Sequence, residues 1–434
     1  MELDVPTVPA LQTMSAGNRD SSDESDSSVE FISQNVVRLV KPTAPLRKII
    51  IPNSSEGDRR LYPPTGLKVD LVTTHTADLV WTATNPNSSY RTRYWPKGQP
   101  ALARECTSQE KSCRLEQLDP ETTYSIIIMA VSEDGLQNSA SSENIELTTA
   151  AQNSRYSEML KTWCQKISKP DEMPLYSIPL TDLSEPGTAV ERFVFGKPGD
   201  KKKRHKTVLL IGARGSGKST LINAMINYIC NVEWKDSFRF QLIQKRPSKM
   251  NRIAIYEIHH TEGFRIPCSL TIVNTPGYSG SCDLDADREI TELIRNFFGA
   301  PDGIQQLDMI GFVAQSFLPR QLDLQTHIYQ SMQSIFGESV KDNVNLLITF
   351  ADSQVPPILE FIAEAEMSFP TDCRTGQPVH HKFNNSGFLC SNRQSRNGSS
   401  SRAVEKFSSL YWHMGVDNFL NLFSVLDSIK SLSK

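Results

Sequence analysis

The stretch Gly212-Ala213-Arg214-Gly215-Ser216-Gly217-Lys218-Ser219 decides how the C-terminal part of this chain of 434 residues folds. It fits the pattern GxxxxGK[ST], and it lies between an apolar, β-branched run at 207–211 and a helical run at 220–226. A strand, a glycine loop and a helix form the setting in which this pattern holds phosphate oxygens with backbone N–H groups. The sequence therefore predicts a phosphate-binding loop.

The residue types of the loop indicate what each member would bind. Lys218 would neutralise charge on the β- and γ-phosphates, and the Ser219 hydroxyl would ligate Mg²⁺. Arg214 is either a solvent-facing charge, which we favour, or a group that acts on the nucleotide of a neighbouring copy. The predicted phosphate ligands are Gly212, Arg214, Gly215, Ser216, Gly217, Lys218, Ser219, Thr220 and, from a later loop, Gly277.

Three later motifs indicate which nucleotide is bound. Asn274-Thr275-Pro276-Gly277 ends an apolar strand and resembles the DxxG box of GTPases, which places Asn274 beside the metal. In Thr349-Phe350-Ala351-Asp352, the carboxylate of Asp352 would accept two hydrogen bonds that guanine offers and adenine does not. Phe383-Asn384-Asn385-Ser386 falls where the last base-contacting loop is expected. The predicted base ligands are Thr349, Asp352, Asn384 and Asn385, and the predicted metal ligands are Ser219 and Asn274.

Residues 61–150 have a different pattern, in which short alternating apolar runs are separated by turn residues. Runs at 66–72, 77–81, 90–94, 113–118 and 124–131 predict a β-sandwich of about 90 residues. Trp81 lies on the second run, and Tyr124 is placed to turn its hydroxyl back onto the backbone. The segment resembles a fibronectin type III domain, which implies a binding or spacer module. Cys106 and Cys113 can approach each other across the sandwich, although free thiols are favoured.

The rest of the chain divides into a linker and a second folded region. Residues 151–188 predict a helical and proline-rich linker. Residues 189–434 alternate strands and helices and end in one or two helices, which predicts an α/β domain with a mainly parallel sheet covered on both faces. The fold class is therefore multidomain, with an all-β sandwich followed by an α/β phosphate-loop domain.

Together the nucleotide motifs resemble the septin-like branch of the P-loop GTPases, and within it the immunity-associated (GIMAP-type) proteins. The Phe383-Asn384-Asn385 loop is the most specific pointer. The resemblance implies binding of GTP and GDP, dependence on Mg²⁺, and homodimers or oligomers formed through the nucleotide face. Three departures weaken hydrolysis: Asn274 replaces an acid, Tyr278 stands where a glutamine is expected, and residues 249–254 offer no threonine, with Ser248 a weak substitute.

The N-terminal residues 1–60 are rich in serine, acidic residues and proline, and we expect them to be disordered. Acidic serines precede Val29-Glu30-Phe31-Ile32, a pattern of SUMO-interacting segments, although a chance apolar tetrad in an acidic tail is favoured. The formal net charge of −3 argues against a nucleic-acid partner. The sequence predicts no signal peptide, no transmembrane segment and reduced cysteines, which together indicate a cytoplasmic protein.

Three functions remain open at this point. The first is a slow GTPase or a nucleotide-dependent assembly switch. The second is a scaffold with little or no catalysis, which recruits partners through the sandwich and the acidic tail. The third is an ATP-dependent kinase. No catalytic residue is assigned. His259 and His260 lie near the expected switch region, and each is either a catalytic residue or, as we favour, an ordinary structural histidine.

Overall fold

The computed structural model describes residues 61–85, 88–133, 135–170, 172–198, 204–243, 251–280, 283–300, 303–304, 306–317, 322–390 and 399–433. The expectations for the tail at 1–60, including the tetrad at 29–32, lie outside the described residues. So do residues 201–203 and the position of Ser248.

The first folded region is a β-sandwich of seven strands in two antiparallel sheets. One sheet has the order β1-β2-β5 and the other β4-β3-β6-β7. Alternate residues of β6, beginning with Tyr124 and Ile126, have no solvent exposure and fill the space between the sheets. The strands are β1 (Thr65–Val72), β2 (Ala77–Thr82), β3 (Ser89–Pro96), β4 (Arg104–Ser108), β5 (Ser112–Leu115), β6 (Thr123–Val131) and β7 (Ile145–Thr148).

Two details of the sandwich follow the sequence prediction. The Tyr124 hydroxyl accepts a hydrogen bond from the N–H of Asp119 at 2.9 Å, as expected for a tyrosine corner. Trp81 is buried and meets Tyr90 edge to face, with ring centroids 5.2 Å apart. The two edge strands β4 and β7 are absent from the predicted runs, because their exposed faces carry polar residues that dilute the apolar signal.

The segment expected to be a linker carries regular structure that packs onto the second region. It contains α1 (Tyr156–Trp163) and the short strands β8 (Gln165–Lys166), β9 (Leu175–Ser177) and β10 (Thr181–Asp182). Tyr156 and Leu160, one helical turn apart, are buried in the α/β core. The amphipathic spacing of this short helix, rather than its proline-rich surroundings, determines where it lies.

The second region is built on an eight-stranded sheet with the order β10-β11-β14-β15-β12-β17-β18-β19. All neighbours from β15 to β19 are parallel, whereas β14 is antiparallel to β15 and β10 is antiparallel to β11. The predicted mainly parallel sheet is therefore confirmed. The remaining strands are β11 (Val190–Phe195), β12 (His205–Gly212), β13 (Arg239–Gln241), β14 (Ile253–Ile258), β15 (Ser269–Asn274), β16 (Gln306–Leu307), β17 (Met309–Gln315), β18 (Val344–Thr349), β19 (His380–Lys382) and β20 (Leu432–Ser433).

Helices cover both faces of this sheet. On β12, Val208 and Leu210 pack with one buried cluster, and Leu209 and Ile211 pack with the other. This alternation explains why the strand is continuously apolar, since neither of its faces meets water. The helices are α2 (Lys218–Ile229), α3 (Leu284–Gly299), α4 (Leu322–Phe336), α5 (Ile358–Glu364), α6 (Ser386–Leu389) and α7 (Ser399–Ser428).

The sandwich is fixed to the α/β region by polar contacts. The guanidinium of Arg114 on β5 donates to both carboxylate oxygens of Asp78, at 2.7 and 2.8 Å. It also donates to the backbone carbonyl of His260, across the junction, at 2.7 Å. In a second contact across the junction, the N–H of His75 donates to the Glu262 carboxylate at 3.0 Å. The Arg114 and Asp78 side chains are only 4% and 3% exposed, so this anchor lies away from water.

No helix in the described part of the chain is both long enough and apolar enough to span a membrane.

Candidate phosphate-binding site

The glycine loop lies at the carboxyl end of β12, between the carboxyl ends of its two parallel neighbours, β15 and β17. The chain leaves β12 through the loop and enters α2, so the expected strand, loop and helix are present in order. In open α/β sheets, ligands bind outside the carboxyl ends of the strands where the strand order reverses. The fold therefore places the predicted loop at the edge of the sheet where a ligand pocket is expected.

Two glycines give the loop its shape. Gly215 and Gly217 have φ angles of 79° and 92°, in the region that residues with a side chain rarely adopt. Gly217 immediately precedes α2, so the amides of Lys218, Ser219 and Thr220 form the first turn of the helix. Amides in the first turn have no acceptor within the helix. The loop consequently ends in a row of N–H groups at the positive end of a helix dipole.

Lys218 is a buried lysine that has no anionic partner among the residues that the structure describes. Its side chain is 7% exposed, and Nζ donates to the backbone carbonyls of Gly212 and Ala213, at 2.9 and 3.0 Å. Burial alone lowers the pKa of Lys218 from 10.5 to about 7, with no nearby carboxylate to raise it. Close to the lysine, the Ser216 hydroxyl is buried and has no hydrogen-bond partner in the described part of the chain. The arrangement therefore favours an anionic ligand at this end of the loop.

The ends of β17 and β18 hold the loop in place from behind. The Thr349 hydroxyl donates to the carbonyl of Ser216 at 2.6 Å, and the Gln315 amide donates to the carbonyl of Gly215 at 3.0 Å. Thr349 is buried, and its methyl and hydroxyl groups lie against Gly217. Its role as a base ligand stays a prediction, but the geometry gives its hydroxyl a structural role. Gln315 was not predicted, because only the strand pairing brings it to the loop.

The predicted DxxG-like loop packs directly on the glycine loop. The N–H of Arg214 donates to the Tyr278 carbonyl at 2.7 Å, and the N–H of Tyr278 donates to the Gly212 carbonyl at 3.3 Å. A Cβ atom on Gly277 would lie 2.5 Å from Arg214 Cα, so only glycine fits there. Nearby, the Asn274 side-chain oxygen is buried and finds no hydrogen-bond partner within the described ranges. A change of position in either loop must therefore displace the other.

A carboxylate that the sequence did not single out holds the continuation of this loop. Asp287 on α3 has no solvent exposure and accepts hydrogen bonds from the amides of Ser279 and Gly280, at 2.7 and 2.8 Å. His327 on α4 lies beside it, with Nε2 3.6 Å from the carboxylate, and its ring meets Tyr278 edge to face. The helical spacing of α3 marks Asp287 only as a polar residue on a buried face, so sequence alone gives no reason to select it.

The predicted base-binding residues come from two loops that are joined by backbone hydrogen bonds. The amide of Ala351 donates to the carbonyl of Phe383 at 3.1 Å, which brings the two loops together. Asp352 is exposed, and one of its carboxylate oxygens accepts the amide of Gln354 at 2.8 Å, which leaves the other oxygen available. Phe350, next to it, has a φ of 53° and is 63% exposed.

The two asparagines of the second loop differ in their surroundings. The side-chain oxygen of Asn384 accepts hydrogen bonds from the amide and the hydroxyl of Ser386, at 3.3 and 2.6 Å. Asn385 is 7% exposed, and its buried side-chain oxygen has no hydrogen-bond partner among the described residues. Asn385 is thus the member of the pair with an unused acceptor, whereas the Asn384 oxygen is already bonded to Ser386 at the start of α6.

The predicted metal ligands form an uncharged set. Ser219 is exposed at the start of α2, and Asn274 supplies a carboxamide rather than a carboxylate. Among the described residues, no group of three His, Cys, Asp or Glu side chains could hold a metal ion. Mg²⁺ commonly keeps several waters and binds through substrate phosphates with one or two protein oxygens. The residues therefore fit a magnesium ion that arrives with phosphate, and they do not fit one bound by protein alone.

His259 and His260, the two candidates for a catalytic histidine, lie away from the glycine loop. His259 follows β14, and because β14 is antiparallel to β15, it lies at the opposite end of β15 from Asn274. Burial lowers the pKa of His259 to about 4, so this side chain is neutral near pH 7. The amide of His260 donates to the hydroxyl of Ser269, and its carbonyl accepts the Arg114 guanidinium. Both are structural residues of the junction with the sandwich.

Comparison with known families decides the identity of the first region. Residues 62–148 match the family described as "Fibronectin type III domain". The β-sandwich is a fibronectin type III domain. The match covers the seven strands and the tyrosine corner.

Solved structures similar to the chain align over about a fifth of its length. The FN1–FN3 domains of chicken CNTN1 are 27% identical over 21% of this chain and 32% of that chain, with a TM-score of 0.19. The domain of human fibronectin type III domain containing protein 3 is 18% identical over 23% of this chain and 94% of that chain, with a TM-score of 0.20. TM-scores this low do not support a fold assignment, so the fibronectin type III assignment rests on the family match. Comparison with the curated proteins gives no match.

Proposed function

We propose that the α/β domain binds a guanine nucleotide with Mg²⁺, and that it acts as a slow GTPase or a nucleotide-dependent assembly switch. The observation that carries the proposal is the buried Lys218, which among the described residues has no carboxylate partner and lies beside an unpartnered Ser216 hydroxyl. A buried charge without a counter-ion is costly. A bound phosphate would supply that counter-ion and would also accept hydrogen bonds from the first turn of α2.

The preference for guanine rests on Asp352. Its exposed carboxylate has one oxygen that is not used within its own loop, and a guanine base offers two N–H groups to such an acceptor. Asn385, whose unpartnered oxygen is buried in the adjoining loop, would contribute a further acceptor. An ATP-dependent kinase gives no role to Asp352, and we therefore favour GTP and GDP over ATP.

Slow turnover follows from the groups around the loop. A bound Mg²⁺ would neutralise developing charge on the phosphates, and Ser219 and Asn274 would hold it. In the described part of the chain, no carboxylate or imidazole hydrogen-bonds to residues 212–219. The side chains from outside the loop that do so belong to Gln315 and Thr349. Nothing there orients a water molecule for attack. A scaffold with little or no hydrolysis is therefore the second candidate, and the fibronectin type III domain supports it as an interaction module.

Self-association through the nucleotide face is part of the proposal. Phe317 and Phe350 follow the carboxyl ends of the adjacent strands β17 and β18, and they are 66% and 63% exposed. Val355 in the same region is also 63% exposed. Apolar side chains exposed next to a ligand site are typical of an interface. Sedimentation velocity with a slowly hydrolysed GTP analogue is expected to show a dimer that Phe350→Ser weakens, and an unchanged monomer would contradict this part.

The base preference is tested by a matched pair of variants. Asp352 and Asp372 each accept the amide two residues later at 2.8 Å, so replacement by asparagine perturbs the same kind of turn at both sites. Asp352→Asn is expected to weaken GTP binding by about 10- to 150-fold, because hydrogen bonds to a charged group are worth about 1.5–3 kcal/mol. ATP binding of this variant and GTP binding of Asp372→Asn should not change. A wild-type preference for ATP would refute the guanine assignment.

Turnover separates the two candidate functions. GTP hydrolysis by the wild type is compared with Lys218→Met and with Lys235→Met, which removes an exposed lysine outside the loop. Hydrolysis that only Lys218→Met abolishes supports the GTPase. Bound guanine nucleotide without hydrolysis that depends on Lys218 supports the scaffold.

A further inference from the structure

Two cysteines of the sandwich lie side by side between its sheets. Cys106 on β4 is the register partner of Thr92 on β3, and the Thr92 hydroxyl is 3.5 Å from Cys113 Sγ on β5. Register partners on neighbouring strands point to the same face of a sheet, so the Cys106 side chain lies beside Thr92 on the face that Cys113 approaches. Because β4 and β5 belong to different sheets and follow each other along the chain, the pair spans the edge of the sandwich where the two sheets are connected.

The two thiols differ in reactivity. The hydrogen bond from Cys113 lowers the pKa of Cys106, and the same interaction together with burial raises the pKa of Cys113. Both side chains are half-buried, and neither is bonded to another cysteine. A thiolate is the form that attacks a disulfide, and a second thiol close to it resolves the mixed disulfide that results. Cys106 therefore suits the attacking position and Cys113 the resolving one.

We propose that Cys106 and Cys113 form a reversible disulfide by exchange with a small-molecule disulfide such as oxidised glutathione. The Cys106 thiolate attacks one glutathione sulfur, the glutathione S–S bond breaks, and the released thiolate takes up the proton that Cys106 gave to solvent. Cys113 then loses its proton and attacks Cys106 Sγ, and the second glutathione leaves and is protonated. The two protein thiols lose two electrons, and one oxidised glutathione is reduced to two thiols.

The position of the bridge gives it a structural consequence. Cys113 directly precedes Arg114, whose guanidinium joins the sandwich to the His260 carbonyl. A covalent link between β4 and β5 restrains the strand that carries this anchor. The bridge closes only a short loop, so its entropic stabilisation is smaller than that of a bridge between distant residues. Its effect is local, at the junction between the sandwich and the α/β region.

Digestion with trypsin detects the disulfide directly. Cleavage after Arg104, Lys111 and Arg114 separates Cys106, in residues 105–111, from Cys113, in residues 112–114. The full-length protein is treated with oxidised glutathione, its remaining thiols are blocked with N-ethylmaleimide, and the digest is analysed without reduction. The two peptides are expected to be linked, with a mass smaller than their sum by two hydrogen atoms.

Two cysteine variants and the exposed Cys373 serve as controls for this experiment. Cys113→Ser is expected to accumulate glutathione on Cys106, and Cys106→Ser to react at Cys113 about tenfold more slowly. The exposed Cys373 reports in every sample that the reagent is active. A persistent glutathione adduct on Cys106 in the wild type would overturn the proposal. So would unlinked peptides beside a reacted Cys373, or equally fast linking in urea-unfolded protein.

Discussion

Replacement of Lys218 by methionine is expected to change how stability depends on pH. A fall of the pKa from 10.5 to about 7 corresponds to about 5 kcal/mol of unfavourable free energy when the lysine is fully charged, since each unit is worth about 1.4 kcal/mol. Methionine has a similar shape and carries no charge. The variant therefore lacks this cost, although the carbonyls of Gly212 and Ala213 lose their donor.

The sign of the effect follows from proton binding. Between pH 7 and 10.5 the unfolded chain binds more protons at this lysine than the folded chain, so the free energy of unfolding rises with pH. The destabilisation is fully present below pH 7 and disappears above pH 10.5. From pH 7 to pH 9, the nucleotide-free wild type is expected to gain about 2 kcal/mol that Lys218→Met does not gain.

Thermal unfolding of both nucleotide-free proteins at pH 7, 8 and 9 measures the difference. Every other titrating group is common to the two proteins, so the difference between their pH profiles isolates Lys218. Saturating GTP should abolish the extra pH dependence of the wild type, because a phosphate partner restores the charged lysine. Parallel pH profiles of wild type and variant without nucleotide would refute the reasoning, since they would mean that Lys218 is not buried without an anion.

Two further substitutions test the loop and the junction. Gly217→Ala is expected to abolish nucleotide binding, because a φ of 92° costs alanine roughly 1–2 kcal/mol and Thr349 lies against the added methyl group. Gly187→Ala is the control that leaves binding intact, since Gly187 has a φ of 85° and open space around it. Arg114→Ala leaves the Asp78 carboxylate buried and unpaired, so it is expected to lower the free energy of unfolding in urea by about 3–5 kcal/mol. Arg104→Ala removes an exposed ion pair and should lower it by less than about 1 kcal/mol. Equal losses within either pair would contradict the geometry.

The sequence predicted the features that are encoded locally. Strand, loop and helix around Lys218 are contiguous, so the apolar run and the glycines were enough to place them. The alternation around Tyr124 predicted the inner face of the sandwich for the same reason. The alternating strands and helices also predicted the mainly parallel sheet, because consecutive units of this kind pack in only a few ways.

Contacts between distant segments could not be predicted. Thr349 and Gln315 reach the loop because β17 and β18 are its neighbours in the sheet, and strand order is not written in any one segment. Asp287 holds the amides after Tyr278 for a similar reason, since α3 must fold back over the loop. The anchor of the sandwich on the α/β region also depends on residues far apart in sequence.

Isothermal titration of the nucleotide-free, full-length protein with GTP, GDP and ATP at pH 8, in two buffers of different ionisation enthalpy, tests nucleotide binding at Lys218 most directly. We expect GTP and GDP to bind more tightly than ATP, with uptake of close to one proton, because Lys218 is mostly neutral at pH 8 without a ligand and charged beside phosphate. Lys218→Met should take up no proton. Absence of guanine-nucleotide binding, or binding without proton uptake in the wild type, would contradict the proposal.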